Sequence, residues 1–165
     1  RALRVAGVLH PAVDEWIGGK SVVVQVGDLL DRGDTELELL CLMRKVQTKA
    51  KAAGGALYNL VGNHETLNAD GRDRYATVEA MQAYTRWNNV CRFKRFLPGP
   101  ISDSFSCSLW TEPLKCKDTD AHCKAIEVGK GSSRDIMARD RRMALRAGGP
   151  IAKEVFSKCP TVLID

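Results

Sequence analysis

Two loop segments constrain this chain more than anything else in it: Gly27-Asp28-Leu29-Leu30-Asp31-Arg32-Gly33 and, twenty-nine residues after Gly33, Gly62-Asn63-His64-Glu65. Each follows an apolar run of strand character, Ser21 to Val26 and Ala56 to Val61. Polar groups set where a strand opens into a loop are where α/β proteins build their sites. Between the two runs, Leu37, Leu40, Cys41 and Val46 recur at helical spacing and should face the sheet. Thr35 and Glu38 make a capping-box pattern at the start of that helix, and Gly54 ends it. The strand-helix-strand unit predicts two parallel strands joined by a right-handed crossover. Asp28 and Asn63, thirty-five positions apart, then meet at one edge of the sheet.

Asp carboxylate, Asn amide oxygen and His imidazole are the ligands of a hard or borderline divalent cation that also handles phosphate oxygens. The pair of loops reads as part of a two-metal phosphoesterase centre. Taken one at a time the residues have plainer readings: Asp28, Asp31 and Arg32 as a turn with a surface ion pair, and Asp34 or Thr35 as a helix cap. The two motifs together, each after a strand, favour the site.

Both segments resemble the second and third signature motifs of the calcineurin-like metallophosphoesterase superfamily, and Asp31-Arg32-Gly33 resembles its phosphoprotein-phosphatase branch. The surroundings are similar to the Shewanella-like protein phosphatases: Val24-Gln25-Val26 before the first motif, Gly54-Gly55 before the second strand, and Thr66-Leu67-Asn68, Gly71 and Arg74-Tyr75 after the second motif. The resemblance runs from the first residue to about Asn88, is weak after it, and resumes at Ala147-Gly148-Gly149-Pro150-Ile151-Ala152. It implies an α/β fold, part of a metallophosphoesterase β-sandwich flanked by helices, with the βαβ unit carrying the metal loops.

The resemblance also implies roles. Asp28 matches the carboxylate that bridges two divalent metal ions, with Mn, Fe or Zn as candidates, and Asn63 matches the amide ligand of the second. A hydroxide bridging such a pair would attack a phosphomonoester. His64 matches the general acid, Asp31 the carboxylate that orients it, and Arg32 the guanidinium that clamps phosphate oxygens. Glu65 reads as a brace within the loop rather than a ligand. Many eukaryotic relatives carry a second clamping Arg two positions before Asn-His-Glu, where this chain has Val61; the Shewanella-like group shares that absence. Arg74 is the substitute candidate, although the family more often shows Gly-Asp-Phe-Arg-Tyr where this chain has Gly71-Arg72-Asp73-Arg74-Tyr75.

The superfamily site needs an earlier Asp-x-His segment and two later histidines, which are not in this sequence; His10 beside Pro11 and His122 in a polar stretch do not follow strands. Arg1 to Leu9 reads as the tail of an amphipathic helix, and Pro160 to Asp165 as a strand ahead of a further ligand loop. Residues 1–165 are therefore expected to be an interior piece of a phosphatase domain. Alone, they should bind metal weakly and turn over little.

The layout expected is helix, strand, helix, strand, helix, an irregular stretch, helix, helix, strand. Residues 97–131 read as a variable insertion; their Cys107, Cys116, His122 and Cys123 have no recognised zinc spacing. Val78 to Val90 reads as a core-packing helix through Met81, Tyr84 and Trp87. The net charge of +5 lies wholly in the second part: residues 1–90 hold eleven basic and eleven acidic side chains, residues 91–165 fourteen and nine. Arg134, Arg139, Arg141, Arg142 and Arg146 read as a solvated helix face, with Ile136, Met137, Met143 and Ala144 as its buried side. No interleaved aromatics signal nucleic acid, and no apolar run is long enough to span a membrane.

The leading functional reading is a metal-dependent phosphatase acting on phosphorylated protein or peptide, at serine, threonine or tyrosine, in the cytoplasm or a plastid. The alternatives are a phosphoesterase for nucleotides or phosphodiesters, and a non-catalytic remnant or binding module using the basic second part.

Overall fold

A computed structural model of the chain describes residues 1–93 and 133–156. The expected insertion at 97–131, with its cysteines and His122, and the strand expected at the C-terminal end lie outside the described residues. Two strands, β1 (Val22–Gln25) and β2 (Ala56–Asn59), pair in parallel with Val22 opposite Ala56 and Gln25 opposite Asn59. The helices are α1 (Ala2–Val5), α2 (Glu36–Ala52), α3 (Asn63–Ala69), α4 (Val78–Phe93), α5 (Ser133–Leu145) and α6 (Pro150–Glu154). The α/β class is as the sequence implies, with α2 as the crossover between parallel strands. No helix among the described residues is long and apolar enough to cross a membrane.

The core has two main parts, and α2 links them. Its C-terminal half buries Met43, Val46 and Ala50 with Leu57 of β2 and with Val8, Leu9 and Trp16 from the N-terminal segment. Its N-terminal half turns instead to helices, placing Leu37 and Leu40 with Leu30, Ala83, Tyr84 and Trp87 of α4, and Ala144, Leu145 and Ile151 beyond. The stripe expected to face the sheet therefore faces it only in part. Tyr84 and Trp87 join this core as expected, and Met81 is buried beside Ala76 and Ala138.

Three local expectations are corrected. The first helix stops at Val5 because Gly7 takes a left-handed φ of 69°, and Leu9 instead pairs with Trp16 in an antiparallel bridge. Thr35 is the N-cap of α2 but makes no side-chain capping bond, because the first turn is anchored differently, through a buried Glu36. On α5, Met143 and Ala144 are buried as expected, but Ile136 stays on the outside, and Ala138, Arg141 and Leu145 complete the buried side.

The C-terminal ends of the strands bring the two loops into backbone contact. A Cβ on Gly27, whose φ is 101°, would lie 2.4 Å from the Gly62 nitrogen, so only glycine permits this approach. Glu65, 1% exposed, then stitches the loops together. Its Oε2 accepts the N–H groups of Asp28 at 2.7 Å and Gly62 at 2.8 Å, and its Oε1 those of Leu29 at 2.7 Å and Leu30 at 3.1 Å. One carboxylate thus satisfies four amides that no strand or helix ladder reaches.

Replacing Glu65 by Gln turns an NH₂ group toward these donors and is expected to cost about 2–4 kcal/mol of stability, by urea denaturation. Hydrogen exchange at the Asp28, Leu29 and Leu30 amides should accelerate; wild-type protection there would show that something else holds the loop.

Candidate active site

The loop after β1 has an unusual backbone. Asp28, Asp31 and Arg32 all have left-handed φ, at 59°, 70° and 59°. Asp visits this region with modest cost, but Arg seldom does, and such strain persists only where the surroundings over-determine it. Here the Arg32 N–H is held by the Tyr75 carbonyl at 3.0 Å and the Asp31 N–H by Glu36 Oε1 at 2.8 Å. The reversals send neighbouring side chains opposite ways: Asp28 and Arg32 are exposed, while Asp31 is buried.

At the open side Asp28 meets the start of α3. Its Oδ1 accepts the His64 N–H at 3.1 Å. The exposed Asn63 amide lies with one polar atom 3.2 Å from Asp28 Oδ1 and 3.3 Å from Oδ2. With nitrogen inward, the amide donates to the carboxylate; with oxygen inward, three oxygens face one another, an arrangement that a shared divalent cation would stabilise. The donor set thus fits a hard cation. Among the described residues no group of three or more His, Cys, Asp or Glu side chains surrounds such a position.

On the buried side His64 Nδ1 lies 2.7 Å from Asp31 Oδ2. Against a carboxylate this nitrogen carries the proton, which leaves Nε2 as the ring's other functional atom. Asn68, one turn along α3, donates through Nδ2 to the same Asp31 oxygen at 2.9 Å and to the His64 carbonyl at 2.8 Å. His64 is 7% exposed, and its ring sits 5.2 Å from that of Tyr75. Tyr75 also gathers the cations: the Arg32 guanidinium lies 5.4 Å and that of Arg74 4.5 Å from its ring centre, and Arg74 Nη2 donates to its hydroxyl at 2.6 Å.

The sequence reading missed Arg141. It belongs to the arginine-rich stretch read as a solvated face, yet it is wholly buried. Nε donates to Glu36 Oε2 at 2.9 Å, Nη2 to Glu36 Oε1 at 2.8 Å and to Asp31 Oδ1 at 3.0 Å, and Nη1 to Asn68 Oδ1. Burial, the largest single influence, disfavours its charge, but the hydrogen bond and charge of Glu36, with Tyr84 and Asp31, outweigh it and raise the guanidinium's pKa. Burial likewise pushes the Tyr84 phenol well above its ordinary value, with the Glu36 charge adding to it, so this ring beside Arg141 stays neutral. The available signal was positional: Arg141 falls at helical spacing among Ala138, Ala144 and Leu145.

The expected residues therefore form three adjoining groups: Asp28 with Asn63, Asp31 with His64, and Arg32 with Arg74 around Tyr75. Glu65 is a brace, saturated by backbone donors. His10 makes a local turn, its Nδ1 accepting the Ala12 and Val13 N–H groups at 3.2 and 3.3 Å.

The family model for calcineurin-like phosphoesterases matches residues 7–128. Shewanella-like protein phosphatase 2 of Arabidopsis thaliana is 33% identical over 168 residues, covering 99% of this chain and 39% of that protein. Shewanella-like protein phosphatase 1 of Plasmodium berghei (strain Anka) is 29% identical over 84 residues, 51% of this chain and 23% of its own length. The chain thus spans about two-fifths of the first relative and about a quarter of the second. Among solved structures, a cold-active protein tyrosine phosphatase is 31% identical with a TM-score of 0.46, over 50% of this chain and 24% of that one. With both motif loops and most of its length inside the match, the chain belongs to the calcineurin-like phosphoesterase family.

Proposed function

We propose that this chain contributes the central part of a metal-dependent phosphoprotein phosphatase site, hydrolysing phosphomonoesters on serine, threonine or tyrosine. The observation that carries the reading is the short His64–Asp31 pair set beside Asp28 and Asn63, with two guanidiniums on the adjoining Tyr75. The relatives' names and the family match support it. The parallel strand pair would belong to one sheet of a β-sandwich, whose further residues would cover the exposed Val22, Val24 and Tyr58.

Asp28 and Asn63 would hold divalent cations, together with ligands from other segments. Bound there, the cations supply Lewis acidity toward phosphate oxygens. The remaining chemistry belongs to the chain's own residues. Arg32 and Arg74, splayed across Tyr75, present planar forks of N–H donors to the phosphoryl oxygens and orient the substrate. His64 offers a proton from Nε2 to the departing alkoxide or phenolate oxygen, while Asp31 keeps Nδ1 protonated and the ring fixed. The buried group counts two carboxylates, Asp31 and Glu36, against the single Arg141 cation. One negative charge is left over to face the imidazole as it carries its second proton.

Mn²⁺-stimulated hydrolysis of p-nitrophenyl phosphate by the native-length protein tests this reading. Asp28→Asn should abolish both turnover and stoichiometric Mn²⁺ binding by calorimetry; full activity in this variant would sink the metal assignment. His64→Asn should lower kcat by about 10²–10⁴ while leaving metal binding intact. Arg74→Ala should raise KM with less effect on kcat, and an unchanged KM would remove Arg74 from the phosphate clamp.

A further inference from the structure

We infer that Arg141 is a positioning residue for the His64–Asp31 pair, acting from the distant helix α5 by fixing the plane of the Asp31 carboxylate. The inference rests on the catalytic reading of that pair and adds a residue to it. Asp31 Oδ2 is shared by His64 Nδ1 and Asn68 Nδ2, so its orientation depends on what holds the other oxygen, and Oδ1 is held by Arg141 Nη2. Two further partners of Asp31, Glu36 and Asn68, lead back to the same guanidinium. Glu36, which accepts the Asp31 N–H, is gripped by Arg141 through both carboxylate oxygens. Asn68, which donates to both Asp31 and the His64 carbonyl, has its amide oxygen occupied by Arg141 Nη1, which fixes which way the amide faces.

Four of the guanidinium's five N–H donors are thus used on Asp31 itself and on the two side chains, Glu36 and Asn68, that also bond to it. Only a flat, forked cation does this. A lysine ammonium keeps the charge but directs three donors from one point, and cannot span Glu36, Asp31 and Asn68 together. The strain next to the pair gives the grip its purpose. Asp31 and Arg32 sit at left-handed φ, and such a loop relaxes unless several bonds oppose it. Arg141 is 110 residues from Asp31 in the chain, so its hold forms only when α5 packs onto the loop.

The test compares Arg141→Lys with the wild-type native-length protein by two independent readouts. On p-nitrophenyl phosphate with saturating Mn²⁺, kcat should fall by about 10²-fold with KM changed by no more than about twofold, as for a misplaced catalytic group. In ¹⁵N-histidine spectra at fixed pH, the downfield His64 Nδ1–H signal should broaden or vanish while the backbone amide spectrum stays native. A residue that only stabilises the fold would lower Tm and leave both readouts of the folded protein unchanged, which would overturn the inference. Because two buried carboxylates lose their partner when Arg141 is removed, Arg141→Met is paired with Glu36→Leu, a replacement that leaves Glu36 no uncompensated charge. This double variant should fold and show the same loss of kcat and of the His64 signal; retention of either overturns the proposal. If the wild type shows the His64 signal but no phosphatase activity, the catalytic reading falls, and the spectra alone decide the role of Arg141.

Discussion

The Glu65 carboxylate is the contact on which the rest of this arrangement depends. Two parallel strands end side by side, and the loops leaving them carry amides that no ladder can satisfy. Glu65 takes four of these amides, from Asp28, Leu29, Leu30 and Gly62. Only with the loops stitched in this way does His64, the residue before it, come within reach of both Asp28 and Asp31. The glycines at 27 and 62 serve the same contact, since a side chain on either would collide with the other loop.

Around that stitch the loop divides its charges between an open and a closed side. With left-handed backbone at both acids, the loop turns Asp28 outward, toward Asn63, and Asp31 inward, toward His64. The outward carboxylate stays exposed to solvent and accepts the His64 N–H. The inward one is placed among Arg141, Asn68 and His64, where every oxygen is matched by a donor. A buried carboxylate without such partners would be strongly disfavoured. The strain of the loop and the density of the buried network are therefore two sides of one requirement, that two acids three positions apart live in opposite environments.

Much of this was legible in the chain. Apolar runs followed by Gly-Asp and Gly-Asn-His-Glu located both strands, their parallel pairing and the side chains gathered at their ends. Met81, Tyr84 and Trp87 announced the buried face of α4 by spacing alone. Local rules failed where a distant partner outweighed them. Thr35 and Glu38 had the pattern of a capping box, yet the first turn of α2 is governed by Glu36, which binds Asp31 and Arg141. Composition suggested a solvated arginine face on α5, yet the stripe that enters the core runs through Arg141 and leaves Ile136 outside.

What the sequence determined by itself was the βαβ unit and the chemical kind of its loops, because strand periodicity, crossover length and the acids, amide and imidazole after each strand are local properties. Packing alone set the grouping and surroundings of those side chains: Glu65 as a brace, Tyr75 as the meeting point of Arg32, Arg74 and His64, and Arg141 as the buried partner of Asp31. The physical reason is desolvation. A local pattern says which residue can form a helix or a loop, but whether a charge can be buried depends on the countercharge that packing brings to it, here from more than a hundred residues away.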